Sequence, residues 1–296
     1  MEELRHYALD RPRVVSTFPS ERNDNALVED QGGRKIVLRR FRRNTDRKRV
    51  AFQLDVQEHL AARGIPTPAI LPTRDGQRVT PDDPPCVAFD YVDGASYSFT
   101  SLTQTKTAAE TLARVHHALD DLTSVEVPTP LNPHIERWWR DPERELNVLA
   151  AYVPPRQLAP LEQTLGALDL AALATLPAGL VHGDFHGRNV LFRQDKVVAL
   201  LDFDVVHRTI RATDVARALL AFARPSRGSL HIRPEVAAAF LSQYARGRSL
   251  TEPEREALPT LLTLVYMPRV AKCTLLAAEG GDASAWATER IEIGTA

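Results

Sequence analysis

Three oxygen-bearing side chains between residues 181 and 204 have types and spacing suited to chemistry on a hydroxyl group: Asp184, Asn189 and Asp202. Asn189 and Asp202 are hard oxygen donors, the kind Mg²⁺ takes at about 2.0–2.1 Å. A carboxylate such as Asp184, five residues before the amide, could orient a hydroxyl beside such a metal and accept its proton during attack. The required elements can be read around these residues. Two apolar runs, 190–193 and 197–201, flank Gln194-Asp195-Lys196, which is a hairpin signature. A tight loop at Asp195-Lys196 would set Asn189 opposite Asp202, where directly opposed Cβ atoms are roughly 4.5–5.5 Å apart. The expected ligand pair depends on that register.

The rest of the chain supplies a frame. A strand pair is expected over 25–29 and 35–39, joined through Gly32-Gly33, followed by a helix over about 50–63 and a strand over 85–91. Helical periodicity then dominates, over 107–119, 156–173, 234–246 and 253–275, with one β interlude from 180 to 203. The organisation is a β-rich N-terminal lobe, residues 1–92, and a larger, mostly helical lobe, residues 93–296. Ligands are usually found in a cleft between such lobes.

Composition narrows the class. The 296 residues are 44% hydrophobic and 25% charged, with a net charge of −1, so no overall field draws the chain to nucleic acid or membrane. Nine of the sixteen residues from Arg34 to Arg49 are basic. They lack the interleaved aromatics of a nucleic-acid surface, and they read as a solvated loop and helix start. Two cysteines, Cys86 and Cys273, form no disulfide framework. No apolar run approaches the ~18 residues of a membrane span, and the N-terminus reads as no signal peptide. A cytoplasmic address is expected, with no nucleic-acid or membrane partner; the oligomeric state is not legible.

The stretch Val181-His182-Gly183-Asp184-Phe185-His186-Gly187-Arg188-Asn189, with Asp202-Phe203-Asp204, resembles the catalytic loop and metal-binding segment of the aminoglycoside phosphotransferase and choline kinase-like superfamily. Thr213-Asp214-Val215-Ala216 resembles that family's following Asp-Leu-Ala, whose Asp braces the catalytic loop. Leu112-Ala113-Arg114-Val115-His116 resembles its first C-lobe helix, and Phe89-Asp90-Tyr91-Val92-Asp93-Gly94 its inter-lobe hinge. Arg22-Asn23-Asp24-Asn25 is similar to the nucleotide loop of the homoserine kinase-like branch, which is loosely nearest. The resemblance implies an α+β, protein-kinase-like bilobal fold. It also implies an ATP- and Mg²⁺-dependent phosphotransferase acting on a small-molecule hydroxyl. Asp184 would be catalytic, Asn189 and Asp202 would bind metal, and Asn25, Arg39 and the backbone of Asp90 and Val92 would meet the nucleotide.

Two positions depart from the family. Arg39 stands where a third-strand Lys is expected, and Gln53 where a helix Glu should hold it. Asp55 and Glu58 are the acids that could substitute for Gln53. These departures motivate a nucleotide-binding pseudokinase or scaffold as the alternative, and a protein Ser/Thr kinase of the same family is another. His182-x-Asp184-x-His186 also admits a metal-hydrolase cluster. In the kinase reading, His182 instead buttresses the loop through backbone hydrogen bonds. Trp138-Trp139 is read as helix packing rather than a substrate pocket. From residue 203 onward there are ten acidic and twelve basic residues, a balance that favours a neutral or carboxylate-bearing alcohol over a polycationic acceptor.

Overall fold

The computed structural model describes residues 2–18, 23–42, 45–122, 125–128, 134–151, 154–226, 229 and 231–278. Arg22 of the expected nucleotide loop lies outside them. After a 3-10 turn at Glu2–His6 come β1 (Arg13–Phe18), β2 (Asn23–Glu29) and β3 (Lys35–Phe41), then helix α1 (Arg47–Ala62), β4 (Ile70–Leu71) and β5 (Cys86–Asp90). These five strands form one antiparallel sheet in the order β1-β2-β3-β5-β4. Helix α1 starts earlier than the apolar spacing alone suggests, because the Asp46 side chain caps it by accepting from the Lys48 amide.

Alternation along the strands creates two apolar faces. One packs Tyr7, Val28, Ile36 and Leu38 together. The other packs Phe41, Val87 and Phe89 against Val50 and Leu54 of α1. Phe52, Val56 and Leu60, four residues apart on α1, belong instead to the core of the second lobe. Helix α1 therefore ties the sheet to the helical region.

The chain continues through β6 (Ala95–Ser96), α2 (Leu102–Leu119), α3 (His134–Arg140), α4 (Pro142–Ala150), α5 (Pro155–Gly166) and α6 (Leu170–Leu173). Then come β7 (Ala178–Val181), β8 (Val190–Arg193), β9 (Lys196–Leu200), β10 (His207–Ile210), α7 (Ala212–Phe222), α8 (Pro234–Gly247) and α9 (Glu252–Ala278). The fold is α+β, with an antiparallel sheet in the N-lobe and a helical C-lobe. Leu112, Phe222, Phe240, Tyr244 and Leu261 are buried at its centre. Trp138 is buried in the same core, with Trp139 packed against it.

The hairpin forms, but in a different register. Val190 pairs with Leu200 and Leu191 with Ala199; a shift follows, and Arg193 pairs with Lys196. Lys196 is thus a strand residue, and the turn is Gln194-Asp195, with Gln194 at φ 56°. Asn189 lies opposite Leu201, whose amide donates to the Asn189 carbonyl at 2.8 Å. Asp202, the expected partner, falls one residue beyond that position. There the backbone turns into the left-handed region at φ 65°, a conformation that Asp tolerates better than most residues.

Candidate active site

The site is built from the loop between β7 and β8, the residues after β9, and the inner strands of the sheet. Its centre is Asp184. The Asn189 amide donates to the Asp184 carbonyl at 3.0 Å and to its carboxylate at 3.3 Å. Arg217 of α7 donates to the other carboxylate oxygen at 3.3 Å, and His186 Nε2 lies 3.4 Å away. Burial opposes ionisation of Asp184. The hydrogen bond and charge of His186, with the charge of Arg217, outweigh it and hold the carboxyl well below the ordinary carboxylate range. An anion that stable is a weak base. It suits orienting a hydroxyl more than deprotonating one in advance.

The loop is held from behind. Both oxygens of the buried Asp214 accept backbone amides, from His182 at 2.8 Å and from Gly183 at 2.9 Å. His116 of α2 touches Asp214 at 3.3 Å and bonds the Tyr244 hydroxyl at 2.8 Å. His182 Nε2 donates to the Leu201 carbonyl at 3.1 Å, while Nδ1 accepts the Asp184 amide at 3.3 Å. Burial pushes the His182 pKa down, which fits this neutral tautomer. Both ring nitrogens are thereby engaged by backbone, so His182 is no metal ligand and the hydrolase cluster is not formed. Among the described residues no group of three or more His, Cys, Asp or Glu is arranged for a metal.

Two glycines allow the loop its path. A Cβ on Gly183, at φ 78°, would lie 2.6 Å from the Val205 carbonyl oxygen. A Cβ on Gly187 would lie 2.6 Å from the Cβ of Tyr97.

The remaining expected residues are placed as follows. Arg39 of β3 reaches across to Asp202 at 3.4 Å and Asp204 at 3.2 Å. Its Nε donates to Asn25 Oδ1 at 3.0 Å, so Asn25 orients Arg39. Burial works against the Arg39 charge, but Asp202 and Asp204 outweigh it and raise its pKa. No Arg39–Gln53 hydrogen bond forms among the described residues. Asp55 and Glu58 are turned to Arg78 at 2.6 and 2.7 Å, so neither acid substitutes for the missing Glu. Asp90 ends β5, its amide donating to Ala69 and its carboxylate pairing with Arg34. Val92 lies two residues further on, in the connection to β6. Asp202 keeps a 35% exposed side chain. With the carboxamide of Asn189 it offers hard oxygens at the end of one hairpin. That donor set suits Mg²⁺, which takes few protein ligands and retains water and phosphate oxygens.

Several participants escaped sequence reasoning. Arg49 lies in the basic run read as solvated, yet it is almost fully buried and donates to the carbonyls of Asp204 at 2.8 Å and Val206 at 2.6 Å. Arg47 is likewise spent on the carbonyls of Thr80 and Asp82. Asn23 donates to Asp204 at 2.6 Å. Arg217 sits one helical turn after Asp214, a spacing that becomes informative only once Asp214 is known to face the loop.

Comparison with known proteins establishes the family and the fold. A model described as phosphotransferase enzyme family matches residues 14–258, and the chain belongs to that family. A homoserine kinase of Rhodopseudomonas palustris is 31% identical over 243 residues, covering 81% of this chain and 72% of the relative. Among solved structures, an amicoumacin kinase in complex with AMP-PNP, Ca²⁺ and Ami superposes with a TM-score of 0.74 at 18% identity, covering 99% of this chain and 91% of that one. A microcompartment-associated aminopropanol kinase gives a TM-score of 0.66 at 21% identity, covering 99% and 97%.

Proposed function

We propose that this phosphotransferase uses ATP and Mg²⁺ to phosphorylate the hydroxyl of a small, carboxylate-bearing alcohol of the homoserine type. The observation that carries the reading is the contact set around Asp184. A loop carboxylate is fixed by Asn189, and the Asp202 carboxylate is at the end of the same hairpin, opposite an Arg on the third strand. The similarity to homoserine kinases over most of the chain supports the acceptor class.

In this reading the nucleotide lies between residues 1–92 and 93–296. The hinge offers it the Asp90 carbonyl and the Val92 backbone. Arg39 meets its phosphates, kept in line by Asn25. Asn189 and Asp202 would hold Mg²⁺, which when bound neutralises phosphate charge and aligns the transferred group. Asp184 orients the acceptor hydroxyl through its carboxylate and takes its proton as the new O–P bond forms and the bond from the γ-phosphorus to its bridging oxygen breaks, with ADP as the leaving group. Arg217 and His186 keep Asp184 anionic until then. Positioning and charge neutralisation account for most of the rate. We place the protein in the cytoplasm; among the described residues no helix is long and apolar enough to cross a membrane.

The test is a coupled ATP assay across hydroxylated amino acids, amino alcohols and antibiotic alcohols. Transfer to homoserine or a close carboxylate-bearing analogue is expected. Preferential transfer to an acceptor without a carboxylate overturns the substrate class. A second reading, a nucleotide-binding scaffold, draws on one contact: Arg39 occupies Asp202, the carboxylate a metal needs. Nucleotide binding without transfer to any acceptor would favour it.

A further inference from the structure

Arg39 lacks the partner that its place in the fold calls for. Gln53 of α1 is uncharged and buried, and its Nε2 makes no hydrogen bond. Asp55 and Glu58, the acids nearest it on the helix, are exposed and bound to Arg78. Helix α1 therefore gives Arg39 no counter-charge. The nearest fixed anion lies across the cleft, on Asp204, whose side chain is only 5% exposed.

Three elements of the N-lobe converge on Asp204. From β3, Arg39 donates to Oδ1 at 3.2 Å. From β2, Asn23 donates to Oδ2 at 2.6 Å. From α1, Arg49 donates to the Asp204 backbone carbonyl at 2.8 Å. Asp202 also meets Arg39, but at 3.4 Å and with a more exposed side chain. The division of labour follows from these geometries. Asp202 can turn to another cation, whereas Asp204 is locked on both oxygens.

We propose that Asp204 is a positioning residue: it replaces the absent helix acid as the counter-charge that holds Arg39 toward the nucleotide phosphates, and it is not a metal ligand. The inference rests on the phosphotransferase reading above. It explains how Arg and Gln coexist at positions 39 and 53. A planar guanidinium can span two carboxylates and an amide oxygen at once, which an ammonium holds less rigidly. It also couples lobe closure to the site, since the group that fixes Arg39 belongs to the opposite lobe.

The experiment is calorimetric binding of ADP, once with EDTA and once with Mg²⁺, to wild type, Asp204→Asn and Gln53→Glu/Asp204→Asn. Loss of a charge-assisted contact predicts about tenfold weaker binding of ADP to Asp204→Asn, by the same factor with and without the metal. Gln53→Glu restores an acid on α1 and should return affinity to within about threefold of wild type. A purely structural role for Asp204 would not be rescued from that helix. Asn23→Ala, which removes the hydrogen bond to Oδ2 and keeps the carboxylate, is the milder variant; about threefold weaker binding is expected. Unchanged affinity in whichever of the two single variants folds overturns the inference. So does a loss confined to Mg·ADP, which would make Asp204 a metal ligand, or a folded double variant that does not recover. If wild type binds no ADP at all, the kinase reading falls first and this inference falls with it.

Discussion

Asn189 bonds the residue whose chemistry it serves: its amide donates to both the backbone carbonyl and the carboxylate of Asp184, at 3.0 and 3.3 Å. One side chain thus fixes the loop and aims the carboxylate, while its own oxygen remains available to a cation. The catalytic role proposed for Asp184 and the metal-binding role proposed for Asn189 would be mechanically linked through this amide.

Asp184→Asn separates orientation from charge. The amide is close in shape and can still be held by Asn189, but it cannot take a proton. Turnover should fall by about 10²–10⁴-fold. Nucleotide affinity should stay within about threefold, because the residues proposed to meet the phosphates are others. Steady-state kinetics beside calorimetry checks both. Near-wild-type turnover would remove Asp184 from the catalytic role.

Gly183→Ala tests whether the loop is as tightly seated as its contacts indicate. The new Cβ meets the Val205 carbonyl at 2.6 Å and the His207 ring at 3.2 Å, on a residue at φ 78°. Backbone oxygen has little room to withdraw, and the left-handed conformation adds its own penalty. A cost of about 2–4 kcal/mol is expected, a loss of roughly 3–7 °C in Tm for a chain of this size. Thermal unfolding that matches wild type within error would show the loop to be far looser.

Much of this site was legible in the sequence because its parts are local. The motif from Val181 to Asn189 places Asp184 and Asn189 within five residues, and Gln194-Asp195-Lys196 between apolar runs signals the hairpin. What failed was the register. A one-residue choice of turn, together with an irregularity at Leu191 and Phe192, moved Leu201 opposite Asn189. The left-handed backbone at Asp202 has no signature in an isolated chain. Arg49 was misread for a different reason. Its neighbours in the basic run are largely exposed, and only packing of α1 against the opposite lobe shows that its guanidinium is buried on carbonyl groups. Contacts 155 residues apart leave no trace in composition or periodicity. The Asp214 brace stands between these cases: the resemblance suggested it, but the chain through His116 to Tyr244 required tertiary structure.

Beneath the loop, His207 supports Gly183 and supplies a pH dependence. Its Nδ1 faces the Val205 carbonyl at 2.6 Å and its Nε2 faces Glu136 at 2.8 Å. Both partners are acceptors, a pair of contacts that favours the imidazolium, in which both nitrogens donate. Burial lowers the His207 pKa, but the hydrogen bond and charge of Glu136 outweigh it, and the net shift is upward from 6.5. Burial likewise opposes ionisation of Glu136, yet the His207 hydrogen bond and charge bring it down from 4.5 to about 2. The signs follow from linkage. The raised His207 stabilises the fold fully below its unfolded value, and that contribution is lost as pH rises through the folded value. The depressed Glu136 contributes above 4.5, and that contribution is lost as pH falls toward about 2. The pair therefore stabilises most between 4.5 and 6.5. Glu136→Gln should lower Tm most in that window, and the gap to wild type should narrow on the alkaline side. A gap that stays constant from mildly acidic to alkaline pH would show that His207 is not an imidazolium in the folded protein.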